Sequence, residues 1–464
     1  MRKKPNIVFI NCDDMGYGDL GCYGSTVNDT PFLDSLAQEG VKLTSCYAAS
    51  PVCSPSRASL MTGSYPSRCG INRVLFPADP LGLSQDQYTL GHLFRQEGYR
   101  SMIVGKWHCG DQQEFLPTEY GFDEFYGLPY SNDMGRQVGR ENGDTYPPLP
   151  LLDGKEVIQE QPDQRALTER YVEQCNRFIR ANKEVPFFLY LAHMHVHLPL
   201  YANNRFEQES RNGDFGACMA EVDWACHAVV EELKRQGIYE DTCIIFTSDN
   251  GSRGQDGASN GALRGAKFFT WEGGIRVPCI FHWKNRIKEN QVIDHMCSHI
   301  DFLPLFAHII GANLPDELEI DGVDIYDTIM DNQQVRDEFA YYGSCMRTEQ
   351  TGYLCAIRKG EWKMHYQRSY WPETGGFFYE PKKELYHLAV DIGESNNVYD
   401  QHPEIVAQFE ELCKDYKERL GDQSSNVMGS QSRLCARVEH PVTLTKYKES
   451  HPYIVALYDK EDQG

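Results

Sequence analysis

The chain has 464 residues, with 45 Lys plus Arg against 67 Asp plus Glu and a formal net charge of −22. Charged residues make up 24% and hydrophobic ones 41%, which is ordinary globular usage and excludes wholesale disorder. So negative a chain is a poor candidate for coating nucleic acid or anionic lipid, although an acidic shell still permits a locally positive pocket for a small anion.

No run approaches the roughly 18 apolar residues that span a bilayer, so no membrane association is expected. The start, Met1-Arg2-Lys3-Lys4-Pro5, precedes an apolar segment that stops at Asn11-Cys12-Asp13-Asp14. With no signal-peptide core or small-residue cleavage site there, the chain reads as cytoplasmic, a leader removed upstream being the alternative. Sixteen cysteines contain no Cys-x-x-Cys pair, which removes thioredoxin-type chemistry and zinc ribbons. Most are expected to serve as small buried apolar residues.

In chain order, short apolar segments predict strands at 6–11, 100–104, 186–192, 242–247 and 277–283. Helical patterns fall between them at 31–38, 89–96, 164–182, 216–236 and 301–310. Such alternation predicts an α/β domain over 1–335, with a large, mostly parallel central sheet flanked by helices. Ligands in such sheets sit beyond the carboxyl ends of the strands, where Asp13-Asp14 and Asp249-Asn250 fall. Beyond about 331–338 the pattern changes to short strands at hairpin spacing, at 341–342, 354–358, 362–366 and 385–388, then a helix at 403–420. This predicts a smaller C-terminal α+β domain over 336–464 with an antiparallel sheet. Residues 422–432 read as a loop, and the apolar run 453–458 as part of a tail packed back on the body.

Three constellations stand out. Cys53, followed by Ser54-Pro55-Ser56-Arg57, sits at a plausible helix start, where Ser54 or Ser56 can cap and backbone N–H groups face an anion. Arg57, one turn on, reaches the same point; on spacing alone, a buried cysteine near a cap fits equally well. Asp13-Asp14 and Asp249-Asn250 each follow a strand, and adjacent carboxylates repel unless a cation lies between them. Their all-oxygen chemistry suits Ca²⁺ or Mg²⁺ rather than Zn²⁺, while either pair alone also fits a turn. His193, His195 and His197 alternate, so on an extended strand they share one face but spread over about 13 Å, too far for one tetrahedral ion.

The whole string Pro51-Val52-Cys53-Ser54-Pro55-Ser56-Arg57-Ala58-Ser59-Leu60-Met61-Thr62-Gly63 resembles the first signature of the type I sulfatases, of the alkaline phosphatase superfamily. Gly98-Tyr99-Arg100-Ser101-Met102-Ile103-Val104-Gly105-Lys106-Trp107-His108 resembles the second. The stretch from Leu263 to Pro278 is similar too, and the resemblance extends from residue 6 to about 400, within the arylsulfatase A and N-acetylgalactosamine-6-sulfatase branch.

The resemblance implies an alkaline phosphatase-like fold and a Cys53 oxidised to formylglycine by a maturase. It implies Asp13, Asp14, Asp249 and Asn250 as ligands of Ca²⁺, with Mg²⁺ as the alternative ion. The implied catalytic set is Cys53, Arg57, Lys106, His108, His197 (from His197-Leu198-Pro199) and Lys267. Lys106, His197, Lys267 and Ser131, within Leu128-Pro129-Tyr130-Ser131-Asn132-Asp133, are the implied sulfate contacts. His193 and His195 are left as supporting or core residues.

The expected reaction is hydrolysis of a sulfate monoester of a sugar, aryl or steroid alcohol. The hydrated aldehyde attacks, with Arg57 and the cation lowering its pKa. Lys106 and Lys267 place positive charge on the sulfuryl oxygens, and His197 protonates the departing oxygen with Lys267 alongside. His108 takes the proton that releases sulfate. Two alternatives are a phosphonate or phosphate monoester hydrolase of the same superfamily and a catalytically silent binding protein.

Overall fold

The computed structural model describes residues 4–137, 145–344, 351–370, 378–451, 456 and 458–460. Its main feature is an eleven-stranded sheet. In spatial order ten strands are Gln291–Ile293, Val41–Tyr47, Arg276–His282, Thr242–Ser248, Asn6–Cys12, Phe187–Ala192, Arg100–Lys106, Glu124–Leu128, Pro150–Asp153 and Glu156–Glu160, and Cys297–Ser298 adds to Val41–Tyr47.

The centre forms because Asn6–Cys12, Phe187–Ala192 and Thr242–Ser248 have apolar middles and are buried at every residue. A strand apolar on both faces is stable only between two layers. Asn6–Cys12 pairs in parallel with both neighbours, Phe9 lying opposite Tyr190 and Ile245. Arg276–His282 runs antiparallel to both of its neighbours, and the hairpin 150–160 closes the far edge, so the sheet is mixed and mostly parallel.

Alternate residues feed two cores. Ile7 and Phe9 join Leu93, Phe302 and Phe306 on one face; Val8 and Ile10 join Tyr171, Met219 and Leu233 on the other. The helices Leu90–Gln96 and Phe302–Ile310 thus cover one side, and Leu167–Asn182 and Gly213–Arg235 the other. Several strands of this sheet have no counterpart in the sequence reading: Val41–Tyr47, Glu124–Leu128, the hairpin 150–160, and the short Gln291–Ile293 and Cys297–Ser298. Val41–Tyr47 alternates buried and half-buried residues, and Glu124–Leu128 begins with Glu and contains Gly127, so neither shows a continuous apolar run.

A separate antiparallel sheet of Glu338–Gly343, Tyr353–Lys359, Trp362–Tyr370 and Phe378–His387 lies toward the C-terminus. The helix Pro403–Leu420 covers it through Phe409, Cys413, Tyr416 and Leu420. The same cluster includes Tyr47, Tyr65 and Ile275 of the larger part, so the two sheets share packed surface. Most of the run expected at 453–458 lies outside the described residues; Tyr458 is buried and its hydroxyl donates to Pro162 O at 2.9 Å. The described cysteines are free thiols, all but Cys22 and Cys435 buried. No described helix is long and apolar enough to cross a membrane.

Candidate active site

Four neighbouring strands deliver polar residues to one end of the sheet. Asn6–Cys12 runs into Asp13-Asp14, Thr242–Ser248 into Asp249-Asn250, Arg100–Lys106 ends at Lys106, and Phe187–Ala192 leads to His193–His197. Backbone bonds carry the ladder into the turns: Asp249 N donates to Cys12 O at 2.9 Å, and Asp13 N to His195 O at 2.9 Å. Asp14 takes a left-handed φ of 59°, which aspartate tolerates better than bulkier residues.

The helix Cys53–Thr62, buried at all ten residues, points its first turn at this cluster. Its N-cap is Val52, with no side-chain cap. The expected serine cap is therefore corrected: Ser54 Oγ accepts from Leu75 N at 3.1 Å, and Ser56 Oγ donates to the carbonyl of Asp249. Both serines lie inside the helix, past its N-cap, and their hydroxyls fasten it to neighbouring loops.

Cys53 Sγ lies 3.4 Å from Asp13 Oδ1. One ligand atom from each of Asp13, Asp14, Cys53 and His197 falls within 4.8 Å of the others, and all four residues are buried. Lys106 Nζ donates to Asp13 Oδ2 and, at 3.1 Å, to Ser131 Oγ. Lys267 Nζ is 2.8 Å from Asp14 Oδ2 and 2.9 Å from His197 Nε2. Arg57 Nε donates to Asp249 Oδ2 at 2.8 Å and its Nη1 to Lys106 O at 2.9 Å. Asn250 Nδ2 donates to Asp14 Oδ1 at 2.7 Å, while Asn250 Oδ1 is buried without a partner.

Burial works to raise the Asp13 carboxyl, but Lys106, and after it His197, Arg57 and Lys267, hold it well below the usual carboxylate range. Burial and then Asp13 push Asp249 up. Burial and the same Asp13 drive the Cys53 thiol well above its ordinary value. Burial opposes charge on Lys267 too, yet Asp14 more than compensates and raises it.

The three histidines do not share one strand face. The strand stops at Ala192, and the chain bends so that the backbone of His195 and Val196 brackets Asp13, Val196 N donating to Asp13 O at 2.6 Å. His193 and His195 stay together, ring centroids 5.2 Å apart, and His195 Nε2 sits 3.2 Å from Glu221 Oε2 in full burial. His197 alone turns to the cluster. Its Nδ1 is 2.6 Å from Leu198 O, and burial and then Lys267 lower its pKa.

His108 stands at the edge of the group with φ 63°. Its Nε2 is 2.9 Å from Leu75 O, and its Nδ1 is buried without a partner. Burial, then Lys106, keep it neutral far below its usual pKa. Leu75 N is the group bonded to Ser54, so His108 is tied to the residue next to Cys53.

Asp19 escaped the sequence reading. Fully buried, it accepts the backbone N–H groups of Gly16 and Ser259, each at 2.7 Å, and so joins the Asp13-Asp14 turn to the loop after Asn250. Burial pushes its carboxyl up to about 8. Its only signal in the sequence is the turn-like Gly16-Tyr17-Gly18-Asp19.

Known proteins resemble this chain along most of its length. The Sulfatase family matches residues 5–312, and the family described as N-sulphoglucosamine sulphohydrolase, C-terminal, matches 266–426. Human (Homo sapiens) arylsulfatase A is 33% identical over 450 residues, covering 89% of this chain and 87% of its own. N-acetylgalactosamine-6-sulfatase of Rattus norvegicus is 34% identical over 449 residues, with 90% and 81% covered. The crystal structure of Ps i-CgsB in complex with k-i-k-neocarrahexaose superposes with a TM-score of 0.78 at 29% identity, over 92% of this chain and 95% of that one. A matched segment spanning more than half the chain, and relatives above 30% identity along most of it, place the protein in the sulfatase family.

Proposed function

We propose that this sulfatase hydrolyses sugar sulfates through a formylglycine made from Cys53 and a divalent cation, Ca²⁺ or Mg²⁺, held by Asp13, Asp14, Asp249 and Asn250. The all-oxygen donor set and the orphaned, buried Asn250 Oδ1 fit such an ion. When bound, the ion supplies a Lewis acid beside residue 53, and the hydrated aldehyde supplies a geminal diol as nucleophile. The observation that carries the reading is the buried place of Cys53 at the first turn of its helix, its Sγ 3.4 Å from Asp13 Oδ1 and within 4.8 Å of ligand atoms of Asp14 and His197.

Lys106 and Lys267 hold the sulfuryl oxygens and offset charge that grows on them. Arg57 braces Asp249 and the Lys106 backbone. His197 Nδ1–H donates to Leu198 O, which leaves Nε2 as acceptor for the Lys267 ammonium. The proton for the departing oxygen therefore resides on Lys267 and passes within the Lys267–His197 pair. On His108, Nε2–H donates to Leu75 O and Nδ1 keeps its lone pair, the state a base needs. The names of two relatives, N-acetylgalactosamine-6-sulfatase and the saccharide complex of Ps i-CgsB, favour a sugar as the alcohol.

The test is co-expression with a formylglycine-generating maturase, a peptide mass map across residue 53, and rates on sulfated sugars, aryl and steroid sulfates, and aryl phosphates. Conversion of Cys53 accompanied by sulfate ester turnover is the expected result. Full activity with an intact cysteine, or faster turnover of phosphate esters, overturns it.

A further inference from the structure

A cleft of about 420 Å³ opens against Lys267, lined by Arg253, Gln255, Ala266, Lys267, Phe268 and Phe269. A smaller recess shares Arg253 and Gln255 with it and reaches Asp14. The cleft therefore touches the residues around Cys53 at two points, and a group leaving from Lys267 has this space to occupy.

Phe268 shapes it. Its ring centroid lies 5.4 Å from Lys267 Nζ, and the side chain is half-buried. The residue sits at φ 75°, a left-handed conformation that a bulky side chain rarely adopts. Its N–H donates to Pro51 O at 2.9 Å, two residues ahead of Cys53, and that bond holds the backbone there. Strain of this kind persists where it places a side chain that function uses. Phe269 continues the wall by packing on Trp271.

Arg253 closes the far side. Its guanidinium, partly exposed, is 3.9 Å from the half-exposed Asp256 carboxylate. In a chain of net charge −22, Arg253 and Lys267 are the cations among the residues lining this cleft.

We infer that the cleft is a subsite for the ring that bears the sulfate, with Phe268 against the face of the ring and Arg253 on a second anionic substituent. The substrate class is then a sulfate ester on a ring that also carries a carboxylate or another sulfate, as in an acidic saccharide unit, rather than a neutral sterol. This inference rests on the sulfatase reading and adds its alcohol. Aromatic side chains accept the C–H face of a sugar as they accept another ring, and a guanidinium pairs with either oxyanion in a bidentate way.

Calorimetry on Ca²⁺-loaded protein with unconverted Cys53 tests it without turnover. The probes are galactose 6-sulfate, galactose 2,6-disulfate, a sulfated galacturonic acid and inorganic sulfate. The two doubly charged sugars should bind roughly fivefold tighter than the monosulfate, the size expected of one partly exposed ion pair. Arg253→Gln should abolish that ratio and leave the monosulfate within about twofold of wild type. Phe268→Gly, which suits the positive φ, should weaken every sugar by roughly fivefold and leave inorganic sulfate unchanged.

If only one of the two doubly charged sugars shows the preference, that identifies the second anion. A wild type that binds all three sugars alike, a ratio that survives Arg253→Gln, or a Phe268→Gly protein that loses inorganic sulfate equally, overturns the subsite. Failure of the converted enzyme to hydrolyse any sulfate ester would sink the sulfatase reading instead, with the binding ratios still deciding this one.

Discussion

Lys363, on the small sheet, is wholly buried beneath the loop that carries Lys267. Its Nζ lies 3.0 Å from Glu272 Oε1, Glu394 Oε1 and Thr270 O alike. Glu394 in turn accepts from Glu272 N at 2.8 Å, and its carbonyl accepts from Arg264 at 2.7 Å. Both flanks of the segment from Arg264 to Glu272 are thus fixed to the small sheet, and Lys267 is carried between them. Lys363→Met keeps the stem and removes the charge, leaving two buried carboxylates without their shared cation. Breaking a buried pair from one side costs about 3–5 kcal/mol. Here Glu272 keeps Arg276 at 3.3 Å and two tyrosine hydroxyls, and Glu394 keeps His365 at 2.7 Å, so the loss should fall near the low end, about 3 kcal/mol. Adding Glu394→Gln removes one orphaned charge, and the double variant should recover about 1 kcal/mol or more. Guanidinium unfolding midpoints at constant m-value read both numbers. A single variant within 1 kcal/mol of wild type, or a double variant no more stable than the sum of the singles, would falsify the clamp.

His197→Ala should slow sugar sulfates by about 10²–10³-fold and spare aryl sulfates with stable phenolates, whereas His108→Ala should slow every substrate alike and leave sulfate on the peptide containing residue 53. A leaving-group series on the two variants decides it: parallel losses with no retained sulfate show that both histidines merely hold the anion. Chelation should abolish activity and lower the thermal midpoint, with Ca²⁺ or Mg²⁺ restoring both; metal analysis finding two zinc ions per chain would contradict the single oxygen site. His299 is fully buried, and burial pushes its pKa down to about 3. Because the unfolded chain binds that proton near pH 6.5 and the folded one does not, stability is full above pH 6.5 and falls as the pH drops toward 3, by about 2 kcal/mol at pH 5. His299→Gln should flatten the fall in urea midpoint between pH 7.5 and 5, and an unchanged slope refutes the assignment.

The parallel centre of the fold was legible because burial on both faces gives strands such as Asn6–Cys12 an uninterrupted apolar middle, Ile7 to Ile10. Val41–Tyr47 was not, since Lys42 and Thr44 sit half-exposed along it and imitate a polar loop. In the site, adjacent Asx residues at strand ends carried a chemical signal of their own, and Cys53 stood out through a long flanking string. His197 was harder to read. Alternation with His193 and His195 suggested one face, but the chain wraps the Asp13 backbone, and only the contacts with Lys267 and Leu198 separate its ring from the other two. Glu221 and Lys363 left no trace, and Asp19 only a turn-like string, because each acts on backbone or side chains far away in sequence, Ser259 in the case of Asp19, and such pairings arise only when loops from different strands are brought together.

The charge around residue 53 ties fold to chemistry. Asp13, Asp14 and Asp249 meet Arg57, Lys106 and Lys267 in a buried set that is neutral as drawn from the chain. The divalent cation proposed on the carboxylates would leave two positive charges in excess, inside a protein of net charge −22. A sulfate monoester brings one negative charge, so one remains to meet the charge that develops on the departing oxygen. The acidic exterior and the cationic pocket are compatible because the strand ends, helix start and loops that hold these groups exclude water, and at low dielectric the local balance outweighs the distant surface.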